Sequence, residues 1–351
     1  MARAASPLPR TARPHVRRTL SAVLALAVTL ILAGCGGTAP AEPRPAGPTA
    51  SGPTSSFPVT VEHKYGTTTI PSDPQRIITL GLSDQDAVLA LGKKPVGAVD
   101  WFGERPFGKW PWAQPLWGNT PPTIVGERDD YNFEKIAALR PDLIIAQYSG
   151  MSKDQYDTLS KIAPVVAQPT GYPDYQAPWQ VMTRAIGKAL GQEGKTTELI
   201  DDVAKRFSAI RTAHPEFAKM TAVVADTPEP GQASVFSPRD PKMVFMSEMG
   251  FTMPEPLTQF VGTQDVVTVS FERLDLLESD RLVWLIDDPA STDKIKADPL
   301  YQKLAVAAQH RDLFVSYEDP PVGAALSFNT VLSIPYAAEQ LEPLLAAPQQ
   351  Q

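Results

Sequence analysis

The chain of 351 residues has one cysteine and four histidines, and these scarcities exclude several kinds of site. A single cysteine cannot form a disulfide within the chain. The histidines beyond the N-terminal segment, His63, His214 and His310, lack the spacing of a zinc or manganese centre. Also missing are the G-x-S-x-G, H-E-x-x-H, G-x-x-x-x-G-K-[ST] and G-x-G-x-x-G patterns of catalytic and nucleotide-binding sites. We therefore expect neither an enzyme nor a resident metal or cofactor.

Positive charge is scarce once the N-terminal segment is set aside. Five of the 32 basic residues and none of the 39 acidic residues lie within residues 1–34, so the rest of the chain has a net charge of about −12. A protein that binds nucleic acid needs a basic face to neutralise phosphates. The charge balance therefore argues against a nucleic-acid partner.

The N-terminal segment has the features of an export signal. Five arginines precede the apolar run LSAVLALAVTLILAG, which is too short for an ordinary membrane-spanning helix. The run ends in Leu-Ala-Gly followed by Cys35, which resembles the bacterial lipobox, where the signal is cleaved before a lipidated cysteine. We expect residues 1–34 to be a lipoprotein signal peptide and Cys35 to carry the lipid. The pair Arg17-Arg18 leaves both Sec and Tat export open.

Residues 35–57 follow as a segment of Gly, Pro, Ala, Ser and Thr with almost no large apolar side chain. Such a composition cannot bury a core, so we expect a disordered tether. A lipid, a tether and then a folded body predict a protein held on the extracytoplasmic face of the cell membrane.

The body alternates short apolar strands with helices, as in RIITL (76–80), DLIIAQ (142–147) and RLVWLI (281–286). This alternation is typical of an α/β fold with mostly parallel sheets covered on both faces. Between the two halves, Leu199, Val203, Phe207 and Ile210 form one stripe of a long helix, and residues 195–215 contain no glycine. We therefore predict two α/β lobes joined by a single long helix, with boundaries at 58–192, 193–215 and 216–346.

One phrase occurs once in each predicted lobe. Residues 132–146 read NFEKIAALRPDLIIA, and residues 270–286 read SFERLDLLESDRLVWLI. Each copy is interpreted as a helix that begins at a polar cap and is followed by a buried strand. The glutamates Glu134 and Glu272 hold the same place in both copies. A shorter pattern, Ser83 with Asp86, has the spacing of a capping box at another helix start.

The loop WFGERPFGKWPWAQPLW (101–117) holds four of the six tryptophans and directly follows a predicted strand. In open α/β sheets, ligands bind beyond the carboxyl ends of the strands, often against aromatic side chains. Trp112 and Trp117 are interpreted as packing residues. The candidate ligand-binding residues are those that follow predicted strands: Trp101, Phe102, Trp110, Leu82, Tyr148, Tyr172, Phe236, Arg239 and Tyr317.

The phrases GTTTIP, DQDAVLALG and NFEKIAALRPDLI are similar to those of the ferric-siderophore-binding lipoproteins of ABC importers, a class III substrate-binding protein family, of the actinobacterial type. The resemblance covers about residues 57–346. It implies two lobes on a stiff bridging helix, a ferric siderophore in the cleft, and a monomer. It also implies a partner, a permease dimer with a cytoplasmic ATPase, on which Glu134 and Glu272 would each dock.

Several alternatives remain open at this point. A carboxylate in the first turn of a helix is favourable by itself, so the two glutamates need not dock on anything. The ligand could be haem or a corrinoid, with Tyr148, Tyr172 or Tyr175 as an iron ligand. A surface enzyme or adhesion module of the same fold is a further alternative. Between siderophores, a cationic hydroxamate would use the aromatic loop, whereas an anionic catecholate would need Arg239, Lys242 or Lys109.

Overall fold

A β-hairpin opens the part of the chain that the computed structural model describes, which comprises residues 57–101, 110–227 and 231–347. Its strands are β1 (Val59–His63) and β2 (Gly66–Ile70), and β1 buries alternate residues as a half-covered strand should. The predicted signal peptide, Cys35, residues 36–56 of the tether, Phe102 and Lys109 lie outside the described residues.

The first lobe is built on a six-stranded sheet. Its strands are β3 (Ile77–Thr79), β4 (Gly97–Asp100), β5 (Thr123–Glu127), β6 (Asp130–Tyr131), β7 (Leu143–Ile145) and β8 (Val165–Val166). They lie in the order β6-β5-β4-β3-β7-β8, and all neighbours are parallel except β5 and β6. The helices of this lobe are α1 (Asp84–Ala90), α2 (Gln114–Trp117), α3 (Phe133–Ala138), α4 (Lys153–Leu159) and α5 (Trp179–Ala189).

The second lobe has a five-stranded sheet. Its strands are β9 (Ala222–Asp226), β10 (Gln232–Phe236), β11 (Val266–Ser270), β12 (Arg281–Ile286) and β13 (Asp312–Ser316), in the order β11-β10-β9-β12-β13. Its α-helices, numbered onward from the bridging helix α6 (Glu193–Ala213), are α7 (Pro241–Met249), α8 (Glu255–Val261), α9 (Pro289–Ala297), α10 (Ala305–Ala308), α11 (Val322–Phe328) and α12 (Ser333–Leu345). Short 3-10 helices cover Pro215–Lys219, Phe271–Leu277 and Tyr301–Lys303.

The long helix α6 has no glycine beyond its first turn, and its apolar stripe is buried. Ile200, Val203, Phe207 and Ile210 belong to one apolar cluster that also contains residues from both sheets. The two lobes therefore share a continuous core along α6, and each sheet buries its other face in a cluster of its own. None of the described helices is both long and apolar enough to cross a membrane.

The predicted fold class, two α/β lobes on one long helix, is confirmed by this architecture. The second sheet is less parallel than the first, because β10 runs antiparallel to both β9 and β11. The carboxyl end of β10 consequently points away from Asp226 along β9. The loop that follows nevertheless returns to the lobe junction, where Arg239 and Pro241 line a cavity.

The two copies of the repeated phrase differ in local structure. Asn132 caps α3 by accepting a hydrogen bond from the Lys135 amide (2.9 Å), as predicted. In the second copy, Ser270 caps a 3-10 helix that is kinked at Arg273, rather than an α-helix. Both helices nevertheless precede a strand in the middle of a sheet, β7 or β12, so the copies occupy corresponding places in the two lobes.

The predicted capping box at α1 is wrong. Ser83 makes no side-chain capping bond, and Asp86 is completely buried with its carboxylate turned inward. Its Oδ2 accepts hydrogen bonds from Trp112 Nε1 (3.0 Å) and from Thr330 Oγ1 (2.6 Å) of the second lobe. Asp86 therefore links the lobes through a buried polar contact instead of capping its own helix.

We predict that Asp86→Asn removes part of the pH dependence of stability. Burial raises the pKa of the Asp86 carboxyl to about 7, against the opposing effect of the bonds from Thr330 and Trp112. An unfolded aspartate ionises near pH 4, so the stabilising contribution is complete below about pH 4 and is lost as the pH rises through 7. The unfolding free energy of the wild type minus that of the variant should fall by up to about 4 kcal/mol over this range, as measured by urea denaturation.

The control is Asp201→Asn, which changes an exposed carboxylate on α6. Its unfolding free energy should follow that of the wild type across the same pH range. Parallel curves for wild type and Asp86→Asn would contradict the assignment of a protonated buried carboxyl.

Candidate ligand-binding site

Aromatic side chains from both lobes meet where the lobes face each other. Phe328, the last residue of α11, lies 5.2 Å from Trp101, 5.7 Å from Trp110 and 5.5 Å from Trp112, measured between ring centroids. Trp110 and Trp112 are stacked, with centroids 5.3 Å apart and planes 4° from parallel. Such arrangements favour ring pairs beyond their buried area, so this cluster is a preferred contact between the lobes.

Two tyrosines extend the aromatic surface of the first lobe. Tyr148, just after β7, has its ring edge-on to both Trp101 (5.8 Å) and Tyr175 (5.5 Å). The Tyr175 hydroxyl donates a hydrogen bond to Asp129 Oδ2, whose other oxygen accepts the Gly150 amide (3.0 Å). These bonds fix the tyrosine in place before any ligand arrives.

A cavity of about 220 Å³ lies between the lobes beside these rings. Tyr148, Tyr175 and Trp179 line it from the first lobe, and Arg239, Val244 and Phe328 are among its residues from the second. Sites for drug-sized ligands enclose roughly 300–1,000 Å³, so a ligand of that size would extend beyond this cavity. At its rim, Gln176 Nε2 donates a hydrogen bond to Asp265 Oδ2 across the lobes (2.6 Å).

Two basic side chains of the second lobe near this cavity, Arg239 and Lys242, are engaged by neighbours. Arg239 Nη2 donates to the carbonyls of Thr263 (2.9 Å) and Gln264 (3.1 Å) and lies 3.7 Å from Asp265 Oδ1. Lys242 Nζ lies 3.0 Å from Asp240 Oδ1 and 3.9 Å from the centre of the Phe236 ring. Arg239 thus lines the cavity, although β10 runs in the direction opposite to the one expected.

Tyr317 follows β13 and is half-buried against α11. Burial raises the pKa of its hydroxyl, and the charges of Asp226, Asp287 and Asp240 add to this effect. Burial likewise raises the pKa of Tyr148, with a further contribution from Asp240. The tyrosines on both sides of the cleft therefore stay neutral and face carboxylates.

The predicted candidates fall into three groups. Trp101, Trp110, Tyr148, Arg239 and Tyr317 lie at or beside the interlobe aromatic surface. Leu82 and Phe236 are buried, and the Leu82 amide donates to the Tyr148 carbonyl (2.9 Å), so they support the wall. Tyr172 is exposed and does not line the cavity, and Phe102 lies outside the described residues.

Sequence reasoning missed Phe328, Trp179 and the part played by Trp112. Phe328 ends α11, and Asn329 follows with a left-handed backbone (φ 47°) before the last helix begins. The signal for this break is weak, since an asparagine is the only local cue. Trp112 was assigned to packing, and its buried ring does pack, but it also holds Trp110 and Phe328 in place.

A second cavity, of about 480 Å³, lies on the outside of the first lobe between β1, α5 and α6. It is larger than the interlobe cavity, but its walls carry Thr60, Glu62, Arg184 and Lys188 and no aromatic ring. We prefer the interlobe cavity as the ligand site because its walls come from both lobes and combine aromatic rings with a few polar groups. Among the described residues, no three or more His, Cys, Asp or Glu side chains are grouped to hold a metal ion.

The two repeated glutamates are both exposed. Glu134 lies in the first turn of α3, and Glu272 lies in the first turn of the 3-10 helix that precedes β12. The two carboxylates thus stand at corresponding points of the two lobes.

Comparison with known proteins identifies the family. A model for the family described as periplasmic binding protein matches residues 77–319. A periplasmic solute-binding protein of Mycobacterium smegmatis is 36% identical, with a TM-score of 0.74 over 82% of this chain and 97% of that one. PiaA of Streptococcus pneumoniae, solved in complex with ferrichrome, is 28% identical, with a TM-score of 0.69 over 82% of this chain and 97% of that one.

A curated relative gives a shorter match. YhfQ of Bacillus subtilis, named as a substrate-binding lipoprotein of an ABC transporter, is 30% identical over 55% of this chain. The match spans 58% of the length of YhfQ, less than two thirds of that protein. The family model matches most of this chain, and the chain shares its fold with solved relatives. The chain therefore belongs to the periplasmic binding protein family.

Proposed function

We propose that the protein is an extracytoplasmic lipoprotein that captures a ferric siderophore and delivers it to an ABC importer. The observation that carries this proposal is the aromatic cavity between the lobes, in a fold shared with a protein solved in complex with ferrichrome. Its relatives are solute-binding proteins, which agrees with the prediction that the chain is not an enzyme.

Ligand recognition follows from the composition of the walls. The rings of Tyr148, Trp179 and Phe328 line the cavity and offer apolar area to a bulky ferric chelate, while Arg239 supplies a polar contact. Trp101 and Trp110 pack against Phe328 and so lie beside this surface. Because the iron arrives inside its chelator, the protein itself needs no metal ligands.

Haem is the weaker ligand candidate. A tyrosine binds haem iron as the tyrosinate. Burial raises the pKa of Tyr148, and the Tyr175 hydroxyl is already committed to Asp129. Both observations oppose the alternative that either side chain serves as an iron ligand.

Delivery would use the two repeated glutamates. Glu134 and Glu272 are exposed, one in each lobe, at the starts of short helices that precede corresponding central strands. A permease dimer with two-fold pseudosymmetry would meet one carboxylate from each lobe, and an arginine on each half could pair with it. Cys35 would hold the protein near this permease through its lipid.

Ligand binding is tested by intrinsic tryptophan fluorescence. Titration of the full-length protein in mild detergent with ferric siderophores should quench emission with a dissociation constant below about 1 μM, corresponding to a binding free energy beyond about −8 kcal/mol. Quenching should weaken in Trp101→Phe/Trp110→Phe, since these rings lie beside the cavity. It should persist in the control Trp284→Phe, since Trp284 is buried in the separate core of the second lobe. If no ferric siderophore quenches at micromolar concentrations, the proposal fails.

Docking is tested by the double change Glu134→Ala/Glu272→Ala. Affinity for the ferric ligand should stay within about two-fold, because neither side chain lines the cavity. Uptake of radioactive iron by cells that depend on this protein should fall by at least about tenfold, which corresponds to about 1.4 kcal/mol of lost docking energy.

Glu255→Ala is the matched control for docking. Glu255 also lies in the first turn of a short helix, α8, so its removal reproduces the loss of a favourable helix-end charge without touching the repeat. Uptake should then be normal. Unchanged iron uptake in the double variant would contradict docking and would mean that Glu134 and Glu272 only stabilise the starts of their helices.

A further inference from the structure

The charge of the preferred ligand can be inferred from the side chains around the cleft. An anionic chelate, such as a ferric triscatecholate or ferric citrate, needs cations that can turn toward it. The sequence left Arg239, Lys242 and Lys109 as candidates for that task, and Lys109 lies outside the described residues.

Lys242 is bound in place. Its side chain is 11% exposed, its ammonium lies 3.0 Å from Asp240 Oδ1, and it covers the Phe236 ring at 3.9 Å. An anionic ligand would have to break both contacts or approach Asp240 as closely as it approaches the ammonium. Lys242 therefore neutralises Asp240, and its charge also acts on Asp226, where it opposes the rise in the pKa of that carboxyl.

Arg239 is occupied in a similar way. One nitrogen of its guanidinium donates to two main-chain carbonyls, and the Asp265 carboxylate lies 3.7 Å away. The guanidinium can still offer its remaining N–H groups to a neutral carbonyl or hydroxamate oxygen. Its charge is partly offset by Asp265, which lies beside it.

Further carboxylates lie at the carboxyl ends of strands of the second lobe, and the charges of Asp226 and Asp287 reach Tyr317. Asp287 follows β12, Glu318 lies two residues beyond β13, and both are exposed. Asp226, at the end of β9, is half-buried, and its Oδ1 has no hydrogen-bond partner among the described residues. Burial is the main cause that raises the pKa of the Asp226 and Asp287 carboxyls, and neighbouring carboxylates add to it in both cases. Asp226 ends β9, Asp287 follows its parallel neighbour β12, and Glu318 lies beyond β13 on the other side of β12, so the three carboxylates lie at the same end of the sheet.

The first lobe contributes mainly aromatic rings to the walls of the cavity. Its cation near the site is Arg128, an exposed residue whose charge reaches Tyr148. Lys242 lies against Asp240, and Arg239 lies against Asp265. Among the described side chains, the carboxylates of Asp226, Asp287 and Glu318 therefore outnumber the remaining positive charge, which comes from Arg128 and from the action of Lys242 on Asp226. The local field is therefore negative on the side of the second lobe.

We propose that this cleft selects neutral or cationic ferric complexes, with trishydroxamates as the ligand class, over anionic triscatecholates and ferric citrate. The inference rests on the proposed function and narrows it. Aromatic rings would bury the carbon skeleton of the chelator, and the carboxylates would favour a cationic side arm. The same carboxylates would repel an anionic complex.

The test compares four probes in the fluorescence titration of the full-length protein. These are the cationic trishydroxamate ferrioxamine B, the neutral trishydroxamate ferrichrome, the anionic triscatecholate ferric enterobactin, and ferric citrate. Both trishydroxamates should bind at least about tenfold more tightly than either anionic complex. Added sodium chloride should lower the affinity for ferrioxamine B and leave the affinity for ferrichrome nearly unchanged, because salt screens only the attraction of a charged ligand.

Two variants locate the effect. Asp287→Asn and Glu318→Gln each remove one exposed carboxylate. Each should lower the affinity for ferrioxamine B by about two- to five-fold and lower the affinity for ferrichrome by less. Asp201→Asn, on the outside of α6, is the control and should change neither affinity.

The outcomes separate this inference from the function on which it rests. Tight binding of ferric enterobactin or ferric citrate, equal to or better than that of the trishydroxamates, would overturn the ligand class and leave the capture of ferric complexes standing. A lack of binding by all four probes would overturn the proposed function and the inference together. If the carboxylate variants lose the same affinity for ferrioxamine B as for ferrichrome, the effect is structural and the proposed role of charge is contradicted.

Discussion

The contact of Phe328 with three indoles of the first lobe is the interaction on which the cleft depends. Its ring lies within 5.7 Å of Trp101, Trp110 and Trp112, and the same side chain lines the interlobe cavity. One residue thus contributes both to the packing of the lobes and to the wall of the interlobe cavity. The shape of the cleft is consequently tied to the arrangement of the lobes, which α6 and its shared core hold from behind.

A buried polar contact fixes the register of this apolar junction. Trp112 is held by its stack with Trp110 on one side and by Asp86 on the other, and Asp86 also accepts a bond from Thr330 of the second lobe. Apolar surfaces can slide, whereas a buried carboxyl must keep its two donors or lose the compensation for its burial. Asp86 therefore determines which packing of the rings is allowed.

Local patterns in the sequence were sufficient for the elements but not for the junction. The stripe from Leu199 to Ile210 predicts α6, and the caps at Asn132 and Ser270 predict helix starts, because each depends on residues a few positions apart. The pattern at Ser83 and Asp86 was misread because the partner of Asp86 is Thr330, 244 positions away. The reversed direction of β10 and the place of Phe328 are likewise set by tertiary pairing, which a single sequence does not display.

The proposed function is that of a clamp, which would hold a ferric chelate between the lobes and present one glutamate from each lobe to a permease. The central claim is that the ferric complex lies between the lobes. The most direct test is an anomalous difference map at the iron absorption edge, from crystals grown with a ferric trishydroxamate. We predict one iron peak in the interlobe cavity, between Tyr148 and Arg239. A peak in the outer cavity beside Arg184 and Lys188, or no iron in the crystal, would contradict the account.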